Sequence, residues 1–330
     1  MKKIFVIGSN SFTGSHFVNK ALDSNYNVIG ISRSQEYNDV MLPYKLNNKK
    51  NNFSFYKLDL NKNLNKIVKL FDKEKPEFVV NIAAQGEVRS SWLYPDHWFQ
   101  TNCISIVNLT NELRKKNIIK KFLMVSTPEV YGNTINEVIE NNNYYPSTPY
   151  AASKAAGDLH LITLLKKYNF PVVFTRTTNV YGIHQQLYRI IPRTIICLKK
   201  EKKIDLHGNG KTVRSFLHIR DAVDGMLTIL EKGEIGEIFH MSPNYNEISI
   251  ENIVKMICGL MGYQFEKSVN RISDNFGQDE NYKLNSDKIK KNLKWSPKIS
   301  FEDGIKETIK WIENNWTEIN KLSHDYIHIK

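Results

Sequence analysis

Cysteine is scarce in this chain: three in 330 residues. Cys103, Cys197 and Cys258 stand far apart with no C-x-x-C pair, which excludes a disulfide framework and a cysteine-based zinc site. None of the nine histidines falls in an H-E-x-x-H pattern, so no metal centre is expected. Long apolar runs are also missing, and nothing approaches the roughly 18 uninterrupted apolar residues of a membrane span. The opening MKKIFVIGSNSF starts like a signal peptide, but its apolar run stops after Ile7, too short for the core of one. The expectation is a cytoplasmic protein in a reducing compartment, with no membrane partner. No internal repeat is present.

What is present is basic and globular. Hydrophobic residues make up 41% and charged residues 24%, and 46 basic against 34 acidic side chains give a net charge of +12. The lysines fall in short groups (Lys49 and Lys50, Lys199 to Lys203, Lys288 to Lys291) without interleaved aromatics. That is the pattern of solvated faces, and no nucleic-acid partner is expected.

Short β-rich apolar runs punctuate the first half at Ile4 to Ile7, Asn27 to Ile31, Phe53 to Tyr56, Phe78 to Ile82, Phe122 to Val125 and Val172 to Arg176. Between them lie amphipathic stretches at Ser15 to Asp23, Leu64 to Lys73, His97 to Lys116 and Ala151 to Tyr168. This alternation predicts an α/β fold, a doubly wound parallel sheet of Rossmann type covered by helices on both faces. After Tyr181 the rhythm changes, with helices expected at Ile219 to Glu231, Ile250 to Met261 and Phe301 to Asn314. The expected division is a dinucleotide-binding domain over residues 1–178, with a returning segment near 215–240, and a smaller substrate domain over 179–330.

GSNSFTG (8–14) follows the first strand and opens a helix. Such a turn cradles a pyrophosphate on free backbone N–H groups, provided small residues let it approach. Gly8 and Gly14 bracket it, and Ser11 stands where a G-x-x-G-x-x-G pattern has its middle glycine. Strand two ends at Ser32 and Arg33 rather than at a carboxylate. An arginine there pairs with a 2′-phosphate, so the expected cofactor is NADP, with NAD as the alternative if Arg33 only faces solvent.

YAASKAAGD (150–158) holds a Tyr-x-x-x-Lys pair. A spacing of four places both on one helix face, where the Lys154 ammonium lowers the Tyr150 phenol toward the working range of a base. The pattern occurs also at Tyr263 with Lys267 and Tyr326 with Lys330. Only the first copy is flanked by residues small enough for a cofactor to approach, and only it follows a strand bearing a hydroxyl pair.

That strand, Phe122 to Val125, opens the stretch FLMVSTPEVYG (122–132), where Ser126 and Thr127 precede Pro128 and Glu129. Glu129 is either a catalytic base at the lip of the sheet or an exposed carboxylate in a turn. With GSNSFTG, YAASK, TNVYG, RSFLHIRDAVDGM and the late KIKKNLKWSPKISFEDGIKETIKW, the chain resembles, nearly end to end, an extended short-chain dehydrogenase/reductase of the nucleotide-sugar epimerase/dehydratase group. The glutamate is similar to that of the NDP-sugar 4,6-dehydratases of GDP-mannose or dTDP-glucose type, whereas simple 4-epimerases place small or apolar residues there.

The resemblance implies a 4,6-dehydratase, with a 4-epimerase, a 4-keto reductase or a noncatalytic dinucleotide-binding regulator as alternatives. It implies catalytic roles for Thr127, Glu129, Tyr150 and Lys154. It implies a cofactor site of Gly8, Ser11, Phe12, Thr13, Gly14, Ser32, Arg33, Asp59, Leu60, Ala83, Ala84, Thr101, Tyr150 and Lys154. It assigns the nucleotide-diphosphate sugar to Gln85, Asn179, Arg189 and Arg214, and it implies a homodimer or dimer of dimers built on the helices at His97 to Lys116 and Ala151 to Tyr168. Two departures stand out. AAQGEVRSSW (83–92), which lines the sugar pocket in relatives, diverges from Gln85 onward, and GQDENY (277–282) carries Glu280 and Asn281 where many relatives have arginine.

Overall fold

The computed structural model describes residues 1–134, 136–245, 247–273 and 283–329; GQDENY lies outside the described residues. Lys3–Ile7 (β1), Asn27–Ser32 (β2), Phe53–Lys57 (β3), Phe78–Asn81 (β4), Lys121–Val125 (β5) and Val172–Thr177 (β6) coincide with the six expected strands to within a residue or two. A seventh, Ile238–Met241 (β7), returns from the second half of the chain and pairs with β6. All seven are parallel, in the order β7-β6-β5-β4-β1-β2-β3. The fold is therefore the doubly wound sheet that the alternation predicts.

β1 shows why its residues form a strand at the centre. Ile4, Phe5, Val6 and Ile7 are all at most 1% exposed, because helices cover both faces and an apolar run without alternation is what such a position demands. On one face Phe17, Leu22, Ile229 and Leu230 belong to a single apolar cluster with Ile4 and Val6. On the other, Phe71, Ile106 and Leu161 join Phe5 and Ile7. Each such side chain contributes about 1.5–3 kcal/mol on burial. The chain winds outward in opposite directions from β1 and β4, which pair with each other. The crevice beyond their carboxyl ends is the place where such sheets bind ligands.

The first helix, α1, runs Phe12–Asp23 and starts three residues before the amphipathic stretch, because Ser11 caps it by accepting from the Gly14 N–H. The helix bearing Tyr150 runs Pro149–Tyr168, capped by Thr148 and closed by Asn169 in the left-handed conformation. The continuous helix expected over His97 to Lys116 is instead broken: Pro95–Phe99 and Ser105–Leu113 are α-helical, and Gln100–Ile104 between them is a π turn. A π turn accommodates one extra residue, which amphipathic periodicity does not register.

Three helices of the second half, Ile190–Lys199, Ile250–Met261 and Phe301–Asn314, enclose a third apolar cluster with Ile195, Ile253 and Ile305. Short strand pairs brace it, Ile204–His207 with Val269–Ile272 and Val213–Arg214 with Ile248–Ser249. Among the described residues no helix is long and apolar enough to cross a membrane, and no cluster of three metal-ligating side chains occurs.

Candidate active site

Two cavities open along the carboxyl end of the sheet. The smaller, about 310 Å³, is lined by Gly8, Ser11, Ser32, Arg33, Asp59, Leu60, Ala83, Ala84 and Thr101 among others. The glycine turn forms its floor. Gly8 has φ +90°, and a Cβ on Gly14 would stand 2.0 Å from the Gly8 carbonyl oxygen. Only glycine permits that approach, and it brings the N-terminus of α1 to the cavity. Ser11 Oγ donates to the Gly8 carbonyl at 2.8 Å while capping α1, so its hydroxyl fixes the shape of the turn. Ser32 Oγ accepts from the Asn10 N–H at 3.2 Å, and thus ties the end of β2 to the same turn. Thr101 Oγ1 accepts from Asn61 Nδ2 at 3.0 Å. The floor of small residues under a helix N-terminus fits a dinucleotide pyrophosphate.

The larger cavity, about 690 Å³, continues from it and is lined by Phe12, Thr13, Thr127, Glu129, Tyr150, Asn179, Arg189 and Arg214 among others. Most of the expected site residues therefore meet in one continuous crevice. Gly14 and Lys154 lie just beneath its surface, and Gln85 stands apart from the sugar side. Its side chain is 4% exposed, lines the smaller cavity and donates to the Ile329 carbonyl at 2.8 Å. The Gln85 backbone explains why it turns that way: Asn102, carried inward by the π turn, accepts from the Gln85 N–H at 2.9 Å and donates to its carbonyl at 3.0 Å.

Thr127 stands two residues beyond the end of β5 and caps the short turn Pro128–Tyr131, accepting from the Glu129 N–H at 3.3 Å. Its side chain lines the same cavity as that of Tyr150. Burial pushes the Tyr150 phenol above its ordinary range, and the Glu129 carboxylate pushes it further in the same direction. The Thr127 hydroxyl and the Arg189 charge pull it back. The lowering of Tyr150 by Lys154 that the spacing suggests does not hold here. The lysine's Nζ is turned away to donate to the Val125 carbonyl at 2.7 Å, and burial brings its own pKa down to about 8 against the opposing charge of Asp158.

Below this surface is a network to which sequence reasoning assigned no role. Ser126 Oγ donates to Asp158 Oδ2 at 2.5 Å, and the Arg176 guanidinium pairs with the same oxygen at 3.3 Å, both side chains fully buried. Arg176 lies between the rings of Tyr131 and Tyr144, 4.7 Å from each centroid, and donates to both hydroxyls. His240, from β7, completes the cluster against the Tyr131 hydroxyl at 2.8 Å. The available signal was spacing: Asp158 follows Lys154 by four, on the face already carrying Tyr150. Tyr326, which lines both cavities, belongs to a Tyr-x-x-x-Lys copy that the sequence context set aside.

A protein-family model described as GDP-mannose 4,6 dehydratase matches residues 5–308. A human protein named dTDP-D-glucose 4,6-dehydratase is 32% identical over 335 residues, covering 97% of this chain and 93% of the relative. The crystal structure of a dTDP-glucose 4,6-dehydratase from Bacillus anthracis in complex with NAD superposes with a TM-score of 0.84 at 30% identity, covering 96% of this chain and 98% of the other. A UDP-glucose 4-epimerase from Thermotoga maritima with UDP-glucose gives a TM-score of 0.84 at 25% identity, covering 95% and 99%.

Proposed function

Because the chain belongs to the GDP-mannose 4,6-dehydratase family, we propose that it is a nucleotide-sugar 4,6-dehydratase, converting an NDP-hexose to the NDP-4-keto-6-deoxyhexose. The observation that carries this reading is the position of Glu129 in one cavity with Thr127 and Tyr150, close enough for its charge to raise the phenol. An epimerase needs no acidic group there.

A dinucleotide held by the glycine turn at Gly8 and Gly14 would supply hydride chemistry, oxidation at C4 of the sugar and return of the hydride to C6. Tyr150 takes the proton of the 4-hydroxyl, and Thr127, in the same cavity, positions that hydroxyl by a hydrogen bond. Lys154, one helical turn on and bonded to the Val125 carbonyl, is assigned as a ligand for the ribose. The resulting C4 ketone acidifies the C5 proton, which Glu129 removes. Pro128 has no proton to give, so Glu129, once protonated, hands the C5 proton to the departing 6-hydroxyl, and one water leaves. Arg189 and Arg214, with Asn179, all lining that cavity, are assigned to the diphosphate.

Residues 1–178 then serve as the dinucleotide-binding domain, with residues 215–240 returning to it, and 179–330 mainly as the sugar-nucleotide domain. Arg33 and the missing carboxylate at the end of β2 support NADP, while the NAD-bound relative supports NAD. Phe99, Ile104 and Leu159 are exposed apolar residues on the two helical segments assigned to subunit pairing, which supports a homodimer. The names of the relatives make dTDP-glucose the first substrate to offer.

The test is to incubate the protein with a panel of nucleotide hexoses and follow the alkali-absorbing 4-keto product. Product with no net consumption of dinucleotide is expected. A hydroxylated epimer as sole product replaces the dehydratase reading with the epimerase one, and no reaction with any hexose overturns both.

A further inference from the structure

The end of the chain does not stay with the lobe that it leaves. After the short helix Trp316–Ile319, residues 323–329 cross the mouths of both cavities to the far side of the crevice. Tyr326 meets Tyr188 edge on, with centroids 5.3 Å apart. The His328 ring then lies flat in an aromatic stack, 4.9 Å from Tyr94 and 5.2 Å from Trp98, and shares a hydrogen bond with His97 at 2.8 Å. At the tip the Ile329 carbonyl accepts from Arg33 Nη1 at 3.0 Å and from Gln85 Nε2 at 2.8 Å. Arg33 and Gln85 are walls of the smaller cavity, as are Tyr326, Ile327 and Ile329 themselves.

We propose that residues 323–329 are a strap that closes over the bound dinucleotide and retains it from one turnover to the next. The proposal rests on the dinucleotide reading of the smaller cavity. A segment evolved to plug that cavity would bury its apolar side chains in it, but Ile327 and Ile329 remain 66% and 47% exposed. Some 310 Å³ stays open beneath the strap, with the glycine turn on its floor. The strap is thus a roof. Its attachment to the rim is slight: one stacked ring with its hydrogen bond to His97, one edge contact, hydrogen bonds to a single carbonyl, and a contact of His324 with Lys200, few enough for a segment that opens. In a cycle that borrows a hydride and returns it, the dinucleotide has no need to leave, so a roof that slows its escape costs no turnover. The strap also gives Arg33 a partner other than a 2′-phosphate, so Arg33 contributes to holding either form of the dinucleotide.

The experiment measures release of the dinucleotide and does not require the sugar reaction. Full-length protein is loaded with radiolabelled NAD or NADP, chased with excess unlabelled dinucleotide, and compared with His328→Ala and with a chain ending at Leu322. The shortened chain is expected to lose label at least tenfold faster and His328→Ala several-fold faster. Chymotryptic cleavage after Tyr326 in the full-length protein is expected to slow when dinucleotide is added, a readout independent of whether the shortened chain folds. Release at the parent rate by His328→Ala together with cleavage indifferent to dinucleotide overturns the strap. Tighter binding by either variant shows a competing plug and overturns it as well. Failure of every form to bind either dinucleotide removes the reading of the cavity itself, and the strap with it.

Discussion

The Lys154 ammonium donates to the backbone carbonyl of Val125 at 2.7 Å, and so fastens the helix of the Tyr-x-x-x-Lys pair to the tip of the strand that carries Thr127. The lysine is buried, and burial holds it near pKa 8 against about 10.4 in an unfolded chain. Between those values the unfolded chain binds the extra proton, so this residue makes stability rise with pH from 8 toward 10.4 and fall again as pH drops through 8. Lys154→Met is expected to remove that rise. Urea midpoints of parent and variant, taken from pH 7.5 to 10, check it; parallel profiles would show that the lysine is not desolvated.

Glu129→Gln separates the two halves of the proposed reaction. The variant keeps the hydrogen-bonding shape but cannot take the C5 proton, so formation of 4-keto-6-deoxy product is expected to fall by roughly 10²–10⁴-fold. Reduction of bound dinucleotide on mixing with sugar nucleotide, followed at 340 nm, is expected to persist. Undiminished product formation would remove Glu129 from the mechanism.

Arg176 and Asp158 form a fully buried pair beneath the active site. Arg176→Met leaves the carboxylate without its counter-charge and takes the cation from between two tyrosine rings. Removing one member of such a pair costs about 3–5 kcal/mol. Chemical denaturation reads it directly, and a loss under about 1 kcal/mol would mean that Ser126 and the surrounding hydroxyls satisfy Asp158 alone.

Gly14→Ala would place a methyl group 2.0 Å from a backbone oxygen, and the neighbour is not a side chain able to swing aside. The glycine turn must shift, and dinucleotide affinity is expected to fall about a hundredfold, or ~2.7 kcal/mol. Calorimetric titration with NAD and NADP measures it. Equal affinity in parent and variant would dissociate the turn from cofactor binding.

What the sequence made legible is what local pattern encodes. β1 to β6 are apolar runs closed by turn residues, Gly8 and Gly14 sit at a strand-to-helix junction, and Tyr150 and Lys154 share a helix face. The features that escaped depend on partners distant in the chain. β7 is only four residues long and becomes a strand by pairing with β6. The direction of the Lys154 side chain is decided by a carbonyl 29 residues earlier, and Gln85 is turned by Asn102 and by the chain's own end. No periodicity carries such information.

The π turn at Gln100–Ile104 has a consequence for anyone who would regularise this molecule. Deleting a single residue there restores an unbroken α-helical register from Pro95 to Leu113, an improvement by every measure of local propensity. The same edit rotates Asn102 out of the interior, and the Gln85 backbone and Ser153 hydroxyl, both its partners, lose the group that joins them. The irregularity is thus the point at which one helix surrenders its own ideal geometry so that the loop after β4 and the tyrosine-bearing helix stay in fixed relation.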